Sequence, residues 1–445
     1  HSIMGDFATT PGLPVPGRRL SRLWHLGRAT TDLAVGVGIS GLMELARNRN
    51  GDQISRIRLS PAHTQRFTER LATMRGAVMK MGQLMSMDGT DLFTPEAAEI
   101  MASLRDRAQP MPIGQLNQVL SAELGNDWDR RFRRFEFTPL AAASIGQVHR
   151  AETRDGRHLA IKIQFPGVRE SIDSDLDNLS FLGRTLGLVP KGLDIGPILE
   201  EARRQLHREA DYRAEAASLE RYAARLDGDP DFLIPRVHHD LSTTRVLAMD
   251  YVTGIPIDRL ADPQYRHAQR DRAAGLLARL SLRELFDFGL VQTDPNFGNY
   301  LYQPETGRLV LLDFGATQPV PPVLVGHYQA LARAAIAGDA AGMRDSSVAL
   351  GYLDAEASAE QAAGLIELMR LTAEPLRHQG IYDFGASDLF ERTFVRGRDL
   401  YFADAFGHRP DPATIFLHRK FVGTFMLCRR LRARLDLGAQ IATYL

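Results

Sequence analysis

Three short stretches, met in a fixed order, limit what this chain can fold into. In LAIKIQF, Leu159 to Phe165, a lone lysine, Lys162, stands on an apolar strand with a small residue, Ala160, two places before it. In QTDPNFGN, Asp294 precedes Asn299 on one short loop that Pro295 stiffens. In LLDFG, Leu311 and Leu312 read as strand, Asp313 sits at its end, and Gly315 releases the backbone. Singly these signals are weak. A strand lysine often snorkels, and Asp-Phe-Gly recurs at Asp383-Phe384-Gly385 with no apolar strand before it. Jointly, each in its setting, they are hard to obtain by chance.

The order resembles the catalytic constellation of kinase folds, in which a strand lysine holds the α- and β-phosphates and an Asp-x4-Asn loop and an Asp-Phe-Gly segment follow. The expected fold class is α+β: a bilobal protein-kinase-like fold with an N-terminal all-helical extension and helical insertions. Helical periodicity runs through Pro61 to Leu84 and Pro95 to Leu124, and strands begin only after Arg131. PLAAASIGQVHRA, Pro139 to Ala151, reads as strand, tight small-residue loop and second strand, with a turn at Arg154-Asp155-Gly156 before the Lys162 strand. A long helix is expected from about Pro197 to Leu226, then strands in VHHDLS and RVLAMDYV, then a hairpin turning at Pro304-Glu305-Thr306-Gly307. The expected division is 1–130 helical extension, 131–253 kinase-like N-lobe with inserted helices, and 254–445 mostly helical C-lobe.

Composition permits this. The 445 residues, 44% hydrophobic, can fill two sizeable cores. Basic and acidic residues balance at 54 each, so nucleic-acid binding has no electrostatic support and none is expected. The one cysteine, Cys428, cannot form an internal disulfide, and no cysteine or histidine cluster has zinc-ligand spacing. The opening residues carry no apolar signal-peptide core. Between Arg18 and Arg49 the apolar part, Leu33 to Met43, is shorter than the roughly 17 to 25 residues that span a bilayer. Trp24 with Arg18, Arg19, Arg22 and Arg28 suits a helix lying at lipid headgroups, and a helix packed on the protein's own core gives the same letters. HRKFVGTFMLCRRLRARL reads as an amphipathic helix docked on the large lobe, with no hydrophobic hairpin after it.

The lysine needs an acidic partner, and READYRAEA offers Glu209, Asp211 and Glu215. On one continuous helix Asp211 and Glu215 share a face while Glu209 points away, so Glu215 is assigned to Lys162 and Glu209 to a partner elsewhere. Upstream, in RGAVMKMGQLMS, Lys80 and Gln83 are three apart and share a helix face, and Gly82 allows close backbone approach.

KMGQ as Lys-x-Gly-Gln, AAAS as an alanine-rich phosphate loop, EAD as Glu-x-Asp, QTDPNFGN and LLDFGAT together resemble the UbiB family of atypical kinases, also called aarF-domain kinases. The similarity runs from about Leu33 to the FVGTFMLCRRLRAR segment and is nearest the mitochondrial branch and its bacterial relatives. The resemblance implies a nucleotide site of Ala141, Ala142, Ala143, Ser144, Val148, Ala160, Lys162, Asp250 and Val252. Catalytic residues would be Asp294, Lys162 and Glu215, with magnesium on Asn299 and Asp313. Lys80, Gln83, Glu209 and Asp211 would be regulatory, the helical extension folding over the site. The implied cofactors are ATP or ADP with Mg2+. The implied activity is Mg-dependent ATP hydrolysis supporting ubiquinone (coenzyme Q) biosynthesis, or phosphorylation of a small molecule. Expected partners are membrane lipids or quinone precursors and quinone-biosynthesis enzymes. The expected location is the bacterial cytoplasm, peripheral to the inner membrane, or the mitochondrial matrix side in a eukaryote.

Alanine in place of glycine costs about 1 kcal/mol wherever a left-handed backbone is needed. Ala141, Ala142 and Ala143 therefore predict a stiffer loop with less freedom to clamp the γ-phosphate, or else residues that simply pack under the lobe; the family resemblance implies that the loop restrains ordinary kinase activity and biases nucleotide preference toward ADP. Two rivals stand beside the ATPase reading. A protein kinase is disfavoured because Gln292-Thr293 precede Asp294 where the activation-loop-reading arginine would be, and PVPPV follows the Asp-Phe-Gly segment in place of Ala-Pro-Glu. A nucleotide-binding scaffold without turnover is disfavoured by the presence of Lys162, Asp294, Asn299 and Asp313 together.

Overall fold

Period-two burial organises the first strands. In a computed structural model, which describes residues 74–85, 110–185, 187, 195–294, 296–393 and 412–445, Leu159, Ile161 and Ile163 have no exposure, while Ala160 and Lys162 alternate onto the opposite face. Each of those aliphatic side chains contributes roughly 1.5–3 kcal/mol by burial. The Arg18–Arg49 segment lies outside the described residues.

The chain divides into two compact units, the first including Asp91–Ala217 and Arg236–Tyr251, the second Ser218–Pro235 and Val252–Leu445. In the first, helices α1 (Arg75–Met85) and α2 (Ile113–Leu124) precede strands β1 (Phe132–Phe135), β2 (Ala141–Ala142), β3 (Gly146–Thr153) and β4 (His158–Gln164). After them come α3 (Val168–Thr185), α4 (Gly196–Glu209), α5 (Tyr212–Arg225), which runs on into the second unit, and, past the intervening β5 of that unit, β6 (Val246–Asp250). The antiparallel sheet has the order β1-β3-β4-β6, with β2 pairing β3. Trp128, Phe132 and Phe135 pack edge to face at its β1 side, Trp128 and Phe135 with ring centroids 5.3 Å apart. The Arg154–Gly156 turn stands between β3 and β4 as expected, Gly156 at φ +90°.

Two expectations are corrected here. The long helix from Pro197 is broken: α4 stops at Glu209 and α5 starts at Tyr212, because Asp211 turns its carboxylate to the free backbone N–H groups of Arg213 (3.1 Å) and Ala214 (3.2 Å). That is the side-chain cap that opens a new helix. VHHDLS is no strand. Only Val237 bridges, to Met249, and His239–Leu241 forms a 3-10 turn, closed by Ser242 Oγ donating to His238 O at 2.8 Å.

The second unit holds β5 (Phe232–Leu233), β7 (Ile255–Pro256), α6 (His267–Arg283), β8 (Leu290–Gln292), β9 (Tyr300–Gln303), β10 (Arg308–Leu311) and β11 (Thr317–Pro319). Behind them lie α7 (Pro322–Ala337), α8 (Ala340–Ala349), α9 (Ala359–Thr372), β12 (Tyr382–Asp383), α10 (Pro412–Arg430) and β13 (Arg434–Leu435). Its larger sheet has the order β5-β10-β9-β7, and β8 pairs β11 separately. The β9–β10 hairpin turns where expected, with Gly307 at φ +69°. The whole is α+β, and among the described residues no helix is long and apolar enough to cross a membrane.

Candidate functional site

Strand register brings together the candidate residues of the first unit. Ala141 pairs with Val148 and Val148 with Lys162, which places the three in one row on one face, and Ala160 joins that face two residues from Lys162. Lys162 Nζ reaches both carboxylate oxygens of Glu215, at 3.2 and 3.1 Å, and lies 5.1 Å from the centre of the Tyr212 ring. Both partners are buried, the lysine side chain 10% exposed and the glutamate 1%. The close approach behind them needs a glycine: a Cβ on Gly146 would stand 2.2 Å from Ile163 O.

Glu209 does have a separate partner, though not by the helix-face argument. It ends α4 while Glu215 sits in the first turn of α5, so the break at Ala210-Asp211 separates them. One Glu209 oxygen takes Lys80 Nζ at 2.5 Å and the other accepts from Ser144 Oγ at 2.6 Å. Lys80 is almost fully buried, and a Cβ on Gly76 would come within 3.1 Å of Ser144 O, so α1 rests directly on the tip of the alanine hairpin. Gln83 lies in the same helix, its side chain outside the described residues. Asp211 caps α5, as described above.

The alanine loop is tighter than the sequence suggests. Ala141 and Ala142 form β2, Ala143 N donates to Gly146 O at 2.8 Å, and none of the three has positive φ. No left-handed position is filled by an alanine there, so the loop carries no such cost. Asp250, at the end of β6, gives one oxygen to His238 Nε2 at 2.6 Å and the other to Arg236 N at 3.0 Å. Val252, the other residue expected there, opens the second unit's final segment, half-buried.

The second unit carries its own group of candidate residues, Asp294, Asn299 and Asp313. Asp294 is half-buried and accepts from Asn296 N at 3.0 Å, the geometry of an Asx turn. Asn299 is buried, its amide nitrogen without a hydrogen-bond partner among the described residues. Asp313 accepts from Gly315 N at 2.9 Å. Backbone bonds lace the two loops: Leu312 N to Asn299 O at 3.0 Å and Thr293 N to Ala316 O at 3.0 Å, with Gln292 Nε2 donating to Asp313 O at 3.2 Å. The unspent Asn299 group is an N–H donor, which suits a phosphate oxygen, while its amide oxygen and the Asp313 carboxylate are the hard oxygen donors of the kind that hold magnesium. The second Asp-Phe-Gly copy makes the same Asx turn, Asp383 accepting from Gly385 N at 2.9 Å, on an exposed edge of β12.

Sequence reading missed what lies beneath the Asp294 loop. Glu284, fully buried, accepts from Tyr222 Oη at 2.7 Å and Gln292 N at 2.6 Å, and Lys420 Nζ stands 3.5 Å from its other oxygen. Lys420 also donates to Tyr300 Oη at 2.6 Å. Burial works against the Lys420 charge, but Glu284 and Tyr300 outweigh it and push the ammonium up to about 12. Burial raises the Glu284 carboxyl against the pull of Lys420. A signal was available: Phe416, Leu417, Lys420, Thr424, Leu427 and Cys428 are the buried stripe of α10, and an ionisable residue sits within that apolar periodicity.

The model of the ABC1 atypical kinase-like domain matches residues 103–347. The mitochondrial atypical kinase COQ8 of Saccharomyces cerevisiae is 35% identical over 94% of this chain and 83% of its own length. The mitochondrial atypical kinase COQ8B of Rattus norvegicus is 37% identical over 95% and 79%. A solved structure, a Mycobacterium tuberculosis protein in complex with erythromycin, has a TM-score of 0.58 at 24% identity and covers 86% of this chain and 95% of that one, a likeness of fold. The chain belongs to the ABC1 (UbiB) family of atypical kinases and is similar, over nearly its whole length, to the COQ8 kinases.

Proposed function

We propose that this chain is a magnesium-dependent ATPase of atypical kinase fold that supports coenzyme Q biosynthesis at a membrane surface. The observation that carries the reading is the buried, doubly contacted Lys162–Glu215 pair, in a chain that also retains Asp294, Asn299 and Asp313 on laced loops. Lys162 holds the α- and β-phosphates and Glu215 keeps it pointed at them. Asn299 and Asp313 would hold magnesium, which when bound would neutralise charge on the phosphate oxygens. Asp294 orients a water whose oxygen attacks the γ-phosphorus. The bond to the β–γ bridging oxygen breaks, ADP leaves with the electron pair, and the water's proton passes to the Asp294 carboxylate or to phosphate. The same geometry serves a small-molecule hydroxyl in place of water. Ala141, Ala142, Ala143, Ser144, Val148, Ala160, Asp250 and Val252 surround the nucleotide, ATP or ADP.

The residues before 131 form the regulatory extension of a three-part chain divided near 130 and 253, and Lys80, Gln83, Glu209 and Asp211 guard the site. The Lys80–Glu209–Ser144 chain supports this, since it fastens α1 to the tip of the alanine hairpin. The chain sits peripherally on the bacterial inner membrane, or on the matrix side in a mitochondrion; the mitochondrial COQ8 relatives support the second and the basic and apolar Arg18–Arg49 sequence suits a membrane surface in either. Phosphate release measured with and without anionic liposomes and a phenolic quinone-precursor analogue tests the membrane part. Turnover rising with both supports it, and turnover indifferent to both contradicts it.

A further inference from the structure

One buried ion pair holds both ends of the segment that carries Asp294 and Asn299. Glu284 opens a π-helical turn, Glu284–Phe288, that ends in left-handed Gly289 (φ +60°), and this wide turn drops the glutamate beneath β8. Its Oε2 accepts from Gln292 N, two residues before Asp294, and from Tyr222 Oη. Lys420, 3.5 Å from Oε1, donates at 2.6 Å to the hydroxyl of Tyr300, the residue directly after Asn299, and lies over that ring at 5.2 Å. The Gln292 side chain extends the chain to the Asp313 carbonyl. Each of the three candidate groups thus lies within a residue or two of an atom fixed, directly or through Gln292, by Glu284 or Lys420. Apolar side chains of the same volume would fill this space without taking two charges out of water. What they cannot do is fix both ends of a loop by directional bonds.

We infer that Glu284 and Lys420 are positioning residues that set the separation of Asp294 and Asn299 for a magnesium–nucleotide complex. The inference rests on the site reading proposed above. Misplacement of reacting groups by about 1 Å costs on the order of 100-fold in rate, which sets the expected scale.

The test compares wild type, Lys420→Met, Tyr300→Phe and the double variant Glu284→Leu/Lys420→Met. Two quantities are read: ATP turnover as a function of magnesium, and the magnesium dependence of ATP binding by calorimetry. In Lys420→Met, kcat falls about 100-fold and the half-saturating magnesium rises about 10-fold, while the affinity for ATP without magnesium changes less than about 3-fold. Tyr300→Phe shifts the magnesium response in the same direction by about 3- to 10-fold. The double variant leaves no uncompensated charge and melts near wild type, yet keeps the loss of turnover and of magnesium response. A double variant restored in both stability and magnesium response reduces the pair to packing and overturns the inference. So does an unchanged magnesium response in a folded Lys420→Met. Wild type with neither turnover nor magnesium-linked ATP binding brings down the site reading itself, a different failure from that of variants matching an active wild type.

Discussion

Two of the buried lysine–glutamate pairs, Lys162–Glu215 in the first unit and Lys420–Glu284 in the second, are built to opposite plans. Lys162 extends from a strand and meets both oxygens of Glu215 in the first turn of α5, with 10% of the lysine side chain still open. Lys420 projects from a long helix into a closed space, 4% exposed, against a Glu284 with no exposure, and both ends are chained to tyrosines and backbone. An open pair can release its lysine to a phosphate. A closed one can only hold its neighbours, so the first is suited to binding and the second to positioning.

Removing one partner of the closed pair breaks the comparison most sharply. Glu284→Leu strands a buried ammonium and is expected to cost about 3–5 kcal/mol of unfolding free energy, measured by denaturant titration. Lys162→Met tests the open pair by function: turnover falls about 10²- to 10³-fold, as on losing one charge-stabilising donor. A Lys162 variant with normal turnover would make the two pairs alike. Asp211→Ala, which removes the cap that starts α5 and so loosens Glu215, costs about 1 kcal/mol and lowers turnover with it. Ala142→Gly weakens β2 by roughly 0.5–1 kcal/mol and is expected to raise self-phosphorylation by freeing the hairpin; unchanged self-phosphorylation would separate hairpin stiffness from catalysis.

The first unit also carries a pH effect on stability. His149 is buried between Gln147 and the Glu136 carbonyl, so Nδ1–H donates to that carbonyl (2.8 Å) and Nε2 accepts from the Gln147 amide (2.8 Å). Burial holds its pKa below the ordinary 6.5, only partly offset by the Glu136 bond. The unfolded chain therefore binds this proton first as pH falls. Stability from the neutral ring is complete above about 6.5 and declines below it, until the folded imidazole also protonates, by at most about 1.4 kcal/mol per pH unit. His149→Gln should flatten that slope in unfolding curves taken between pH 5 and about 7.

The open pair was legible in sequence because its residues carry local signatures: a lysine on an apolar strand, acids on one face of a helix, loops with fixed spacing. The Arg154–Gly156 turn and the β9–β10 hairpin were legible for the same reason. The α4–α5 break was missed because Asp211 was read for its charge on a helix face when its short carboxylate was available as a cap. VHHDLS misled because only Val237 bridges a strand, while its other apolar position, Leu241, buries in a 3-10 turn. The closed pair was invisible as a pair, since Glu284 and Lys420 meet only through tertiary packing, although a lysine within the α10 apolar stripe marked one half of it. The two Asp-Phe-Gly copies make the same point in reverse, sharing a local turn while differing in burial and neighbours.

The central claim is that this chain transfers the γ-phosphoryl group of ATP with Asp294 at the reacting end. Its most direct test is magnesium-dependent phosphate release by wild type and Asp294→Asn, with ATP binding measured on both. The account predicts turnover in wild type, its loss in Asp294→Asn, and comparable ATP binding in the two. Equal release by both proteins would take Asp294 out of the chemistry, and binding by both with release by neither would leave a nucleotide-holding scaffold; either contradicts the account.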